Sequence, residues 1–180
     1  MIEDNNHSSN IRRICVITGT RAEYGILKPV MEAISHDRAL KLLIVVSGMH
    51  LSLRHGFTLE EIENDGFKIS SKVRMTPRGN QGYSMSEALG RGIIGFTKVF
   101  RVLAPSIIVV LGDRDEALAA SLAALHMNLP IAHIHGGDSA RGGIDESIRH
   151  AITKIANIHF AATERSAIRI RKLGMSEVRL

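Results

Sequence analysis

Apolar residues in this chain fall into short continuous runs, and amphipathic stretches separate them. Such runs predict strands covered on both faces, and the stretches between them predict helices. Ile11 to Thr18, Leu40 to Val46, Phe67 to Met75, Ile107 to Leu111, Pro130 to Ile134 and His159 to Ala162 read as strands. A helix is expected over Tyr24 to Ser35, with Pro29 tolerable only near its first turn. Another runs from Thr58 to Asp65, with Thr58 as its cap and Glu61 at the capping-box position. Ser86 to Leu103 is helical up to the stop at Pro105, although Gly90, Gly92 and Gly95 weaken it unless something packs close. Glu116 to Met127 and Asp145 to Ala156 follow, and a last helix places Ala167, Ile168, Ile170 and Leu173 on its apolar side. This order predicts an α/β fold: a doubly wound, Rossmann-like parallel sheet with helices on both faces. Chemistry then belongs at the carboxyl ends of the strands, in the loops after Thr18, Ser47, Leu111 and Ile134.

Composition narrows the picture. The 180 residues suffice for one domain with its own core. The polar residues 1–10 are expected to be a disordered tail, and 11–180 the folded domain. No apolar run approaches the roughly 20 residues of a membrane span, so no membrane partner is expected. The single cysteine, Cys15, sits inside an apolar strand; a core position and a reducing, cytoplasmic setting follow. A net charge of +5 raises nucleic-acid binding. The basic residues are scattered, however, apart from Arg165, Arg169, Arg171 and Lys172 on the solvated face of the last helix. Stacking aromatics are scarce and tryptophan is absent, so nucleic acid is not expected as a partner. A phosphorylated metabolite accounts for the charge equally well.

Four loops carry candidate chemistry. The first, T-G-T-R-A-E-Y-G from Thr18 to Gly25, joins a tight turn at Gly19 to a helix start, with Arg21 as a bidentate phosphate fork and Glu23 beside it. It has neither the Walker ending nor dinucleotide spacing. The second, G-M-H-L-S, offers His50 as an acid, a base or a hydroxyl partner. The third, L-G-D-R-D-E, places Asp113 just past the central strand, crowded by Arg114, Asp115 and Glu116. The fourth begins H-I-H-G-G-D, where strand alternation puts His133 and His135 on one side. With Asp138 these two could ligate a metal, but no third nitrogen or sulfur donor lies near, and neither metal nor cofactor is expected. From Asp138 to His150 the chain gathers Asp138, Asp145, Glu146, Arg149 and His150 where a strand hands over to a helix, as proton transfer to and from one substrate carbon requires.

These motifs resemble the UDP-N-acetylglucosamine 2-epimerases, particularly the hydrolysing branch that opens bacterial sialic-acid synthesis. The matching segments are V-I-T-G-T-R-A-E-Y-G-I-L-K-P, V-V-S-G-M-H-L-S, I-V-V-L-G-D-R-D-E-A-L-A-A, and H-I-H-G-G-D through I-D-E-S-I-R-H-A-I-T-K. They run in the family's order over nearly all the chain after residue 10. The resemblance implies one half of a GT-B-type architecture, whose second, C-terminal domain holds most of the nucleotide, and a homo-oligomer. It implies anti elimination of UDP from a UDP-sugar to 2-acetamidoglucal, then hydration to N-acetylmannosamine. Asp113, Asp145 and Glu146 match the family's acidic residues, Arg21 the arginine near the phosphates, and Arg149 and His150 the pair framing the site. One departure concerns His135, where several relatives carry a glutamate. A histidine performs the same proton work near neutral pH, and Asp138 offers a carboxylate in its place. Non-hydrolysing epimerases and enzymes taking a modified nucleotide-sugar are alternatives. A catalytically silent binding or assembly module is another, because losing one cleft wall admits water and weakens electrostatic catalysis.

Overall fold

A computed structural model describes residues 11–52, 58–77, 79, 81–139 and 143–180. The expected tail at 1–10 lies outside the described residues, as do residues 53–57, 78, 80 and 140–142. Among the described residues, seven parallel strands form one sheet: β1 (Arg12–Thr18), β2 (Leu40–Ser47), β3 (Ile69–Val73), β4 (Ile107–Leu111), β5 (Ile131–Ile134), β6 (Ile158–Phe160) and β7 (Val178–Arg179). Their spatial order is β3-β2-β1-β4-β5-β6-β7. The direction of winding reverses between β1 and β4, so a crevice opens at the carboxyl ends of those two strands.

The continuous apolar runs exist because both sheet faces are covered. Cys15, Ile17, Val45, Ile108 and Val110 face α3 (Gly82–Leu103), α4 (Asp115–His126) and α5 (Ile144–Ile155). Their alternating neighbours Val16, Ile44, Val46 and Val109 face α1 (Arg21–His36) and α2 (Leu59–Asn64). Cys15 is wholly buried, and burial pushes its thiol up to about 12, as suits a packing residue. The last helix, α6 (Glu164–Lys172), packs Ala167 and Ile170 onto Ala161 and Val178. No helix among the described residues is long and apolar enough to cross a membrane.

Several element boundaries differ from expectation. Helix α1 starts three residues earlier, because Thr20 caps it and Glu23 completes a capping box. Pro29 therefore lies well inside the helix, beyond the first turn to which the sequence confined it. The carbonyl that a proline ring crowds, four residues back, belongs here to Gly25. Thr58 makes no side-chain cap on α2; its hydroxyl bonds His50, while Glu61 pairs with Arg21. Helix α3 does have close neighbours at two of its three glycines. A Cβ on Gly92 would meet Met75 Sδ at 2.8 Å and Ala119 Cβ at 2.9 Å, and one on Gly95 would meet Val73 at 2.6 Å. Gly90 has nothing within 4 Å.

Candidate active site

The loops following β1, β2 and β4 meet as the topology requires, and a cleft of about 360 Å³ opens beside them. Met49, Met75 and Met85 give it an apolar wall, and Asp113, Asp115, Glu116 and Asp145 give it acids. Asp113 follows Gly112, whose φ of 72° turns the chain sharply out of β4. Its carboxylate forms a salt bridge with Arg149 of α5, a guanidinium that is itself buried. Arg149 also donates to the Asp138 carbonyl at 3.2 Å, so one side chain ties the β4 loop to the β5 loop. Burial lowers the Arg149 pKa from its usual value.

Asp145 is exposed at the start of α5 and lies close enough to Asp115 to act on it electrostatically. The pKa of Asp115 is raised by its burial first and then by the Glu116 carboxylate, with Arg114 opposing. Glu146 accepts from Ser139 Oγ at 2.9 Å and stands 3.8 Å from His150 Nε2. The His150 Nδ1 atom is buried with no hydrogen-bond partner among the described residues.

Strand alternation does not carry past Ile134. His135 adopts the left-handed conformation, with φ of 62°, and its Nδ1 lies 3.0 Å from Asp138 Oδ2. The other Asp138 oxygen accepts from Ser166 Oγ at 2.5 Å. Arg149, which bonds the Asp138 carbonyl, links this pair to Asp113, and neither residue of the pair lines the cleft. His133 lies underneath and is wholly buried.

Three expected substrate contacts have other occupations. Arg21 projects from the first turn of α1, three-quarters exposed, and pairs with Glu61 at 3.0 Å. Glu23 accepts the N–H groups of Gly19 and Thr20 at 2.8 and 3.1 Å, so its carboxylate fills the seat expected to take a phosphate. Burial raises the Glu23 pKa to about 7, with the Gly19 N–H opposing and Glu116 adding to the rise. His50 is wholly buried, its ring nitrogens bonded to Thr18 Oγ1 at 3.0 Å and Thr58 Oγ1 at 2.7 Å. Burial lowers its pKa to about 4, which fits a structural, uncharged imidazole.

Glu116 is the residue the sequence placed only as a crowding neighbour. It is buried, lines the cleft, and lies 3.3 Å from Arg114 Nε. A Cβ on Gly48, where φ is 54°, would come within 1.9 Å of Glu116 Oε1. The tight Ser47-Gly48 turn was the available sequence signal that something presses on that loop. Among the described residues, no group of three or more His, Cys, Asp or Glu is gathered for a metal ion.

Acids and a buried arginine at the switch point of a doubly wound parallel sheet define the class of α/β domains that bind ligands at strand carboxyl ends. Comparison with known proteins sharpens this. Residues 32–180 match the sequence profile of the UDP-N-acetylglucosamine 2-epimerases, and the chain belongs to that family. It is 42% identical over 167 residues to the UDP-N,N'-diacetylbacillosamine 2-epimerase (hydrolyzing) of Legionella pneumophila, covering 93% of this chain and 44% of that protein. It is 36% identical to the GDP/UDP-N,N'-diacetylbacillosamine 2-epimerase (hydrolyzing) of Campylobacter jejuni, covering 94% of this chain and again 44% of the relative. The fold matches the crystal structure of UDP-GlcNAc 2-epimerase from Neisseria meningitidis bound to UDP-GlcNAc with a TM-score of 0.82 at 20% identity, over 93% of this chain and 45% of that one. The chain thus spans under half the length of these proteins, with the fold of one half of a GT-B-type architecture.

Proposed function

We propose that this chain is the sugar-binding, proton-transferring half of a hydrolysing 2-epimerase acting on a UDP-linked 2-acetamido sugar. The observation that carries the proposal is Asp113, salt-bridged to Arg149 and in the wall of the same cleft as Asp145, within a chain of the 2-epimerase family. A base removes the proton on sugar C2 while UDP leaves C1, giving 2-acetamidoglucal. Water then adds at C1 and a proton returns to C2 from the other face, releasing the free 2-epimer. This chemistry needs an acceptor and a donor on opposite sides of one carbon. Asp113 and Asp145 supply these carboxyl groups, with Glu146 at the edge. Asp115, whose pKa is raised by burial, lines the same cleft. His135 and Asp138 support the site through Arg149. The acidic cleft suits hydroxyl and amide donors of a sugar better than a diphosphate, which supports a reading in which a further, C-terminal domain holds the nucleotide.

UDP-N-acetylglucosamine, yielding N-acetylmannosamine, is the simplest substrate. A second reading, a sugar with an additional acetamido group, is favoured by the names of the two relatives described above. Phosphorus and proton NMR separates the readings. The chain is incubated with each UDP-sugar, alone and with a separately expressed nucleotide-binding domain. Free 2-epimer with UDP is the expected product; a UDP-linked epimer would replace hydrolysis with simple epimerisation, and no reaction on either sugar with the second domain present would remove the proposal.

A further inference from the structure

His133 is unused by the site just described. It is wholly buried on β5 and does not line the cleft, yet it touches both structures that hold Asp113. Its Nε2 lies 2.7 Å from the carbonyl oxygen of Gly112, the residue immediately before Asp113. A carbonyl can only accept, so the ring carries its proton on Nε2. Its Nδ1 lies 3.3 Å from Thr153 Oγ1 on α5. The single Thr153 hydroxyl hydrogen is shared between this Nδ1 and the Arg149 carbonyl at 2.8 Å, and the Arg149 guanidinium holds Asp113. The contacts close on themselves: Gly112, Asp113, Arg149, Thr153, His133 and back to Gly112.

The neighbouring chain leaves room for this ring. A Cβ on Gly136 would come within 2.9 Å of His133 Nδ1 and 3.2 Å of Thr153 Oγ1. The H-G-G sequence after β5 therefore reads as a space kept for the imidazole. The backbone it steadies needs steadying, because Gly112 sits at positive φ and supplies no side chain of its own.

We propose that His133 is a positioning residue for the 2-epimerase reaction, fixing Asp113 through Gly112 and Arg149 through Thr153 in one closed circuit of contacts. The proposal rests on the 2-epimerase reading for its reaction, although the circuit itself is a structural claim. Small displacements of a reacting group cost large factors in rate, so cutting the circuit is expected to lower kcat by about 10- to 100-fold. KM should change little, since His133 touches no substrate. The conservative variant is informative here. A glutamine amide can place an N–H near the position of Nε2 and restore the bond to Gly112, whereas an asparagine is too short to reach it.

The test compares His133→Asn with His133→Gln in the full chain, using nitrogen NMR of the Arg149 guanidinium beside turnover of UDP-N-acetylglucosamine. Distinct, slowly averaging Arg149 signals are expected in the wild type and in His133→Gln, and collapsed signals with low kcat in a folded His133→Asn. A folded His133→Asn with unchanged Arg149 signals overturns the proposal, whatever its rate. If His133→Asn does not fold, Thr153→Val cuts the circuit at its next link and is judged by the same signals. A wild type inert toward both UDP-sugars with the separately expressed nucleotide-binding domain present, and with the signals behaving as expected, counts against the 2-epimerase reading and leaves the circuit standing.

Discussion

Gly48→Ala is a small change with a large expected cost. Two effects contribute. The residue sits at φ 54°, and placing an L side chain in the left-handed region costs roughly 1–2 kcal/mol. The new methyl would also overlap Glu116 Oε1 at 1.9 Å and Cδ at 2.7 Å. A long side chain usually swings aside cheaply. Here the room is limited, because Glu116 is also close to the Gly19 backbone: its Cδ and Cγ lie 3.0 and 3.1 Å from where a Gly19 Cβ would stand. The carboxylate must leave Arg114, and disturbing a buried charged partner costs about 1–3 kcal/mol. Together these predict a loss of about 3 kcal/mol, readable as a shift of the urea midpoint at constant slope. The two parts separate in a double-mutant cycle. In a Glu116→Ala background the methyl finds vacated space, and Gly48→Ala should cost only the backbone strain, about 1–2 kcal/mol. An equal cost in both backgrounds would refute the claim that Glu116 fills the floor of this loop.

Three further predictions concern charge. Burial lowers the His133 pKa to about 4, so between pH 6.5 and 4 the unfolded chain binds the proton the folded chain refuses. The contribution is full above pH 6.5 and lost on acidification, by up to about 3 kcal/mol; His133→Gln should flatten that part of the acid limb in urea titrations, and an unaltered slope would contradict it. Glu23 has the opposite sign: its pKa, raised to about 7, makes folding progressively costlier as pH rises from about 4.5 to above 7. Glu23→Gln should accordingly become more favourable, relative to wild type, at pH 8 than at pH 5, and a pH-independent difference would count against the burial of that carboxylate. Asp113→Asn and Asp145→Asn in an active protein should each cut turnover about 100-fold or more with unchanged folding; unchanged rates in both would end the assignment.

The strands were legible because a sheet covered on both faces demands uninterrupted apolar runs, and Cys15 to Ile17 or Ile108 to Val110 have no other use. The four chemical loops were legible for a related reason: parallel strands deliver their carboxyl ends to one edge. Helix starts were read less well. Thr20-x-x-Glu23 is a capping-box signal present in the sequence, but its charged residues were assigned to a ligand rather than to the helix's own N–H groups. At Thr58 the reverse occurred, and a cap signal went to a buried histidine. β7 has two residues and no periodicity to announce it. Burial of His50 and His133 depends on partners 8 to 32 residues away along the chain, which local pattern cannot supply. The same holds for Glu116, whose place under Gly19 and Gly48 exists only once β1, β2 and β4 are side by side.

The most direct test of the account is proton exchange at sugar C2. UDP-N-acetylglucosamine is incubated in D2O with this chain and a separately expressed nucleotide-binding domain, and the products are followed by proton NMR. Removal and return of the C2 proton by the Asp113–Asp145 cleft predicts N-acetylmannosamine carrying deuterium at C2, together with free UDP, and loss of both signals in Asp113→Asn. Product that retains its original C2 proton, or equal deuterium incorporation by Asp113→Asn, would contradict it.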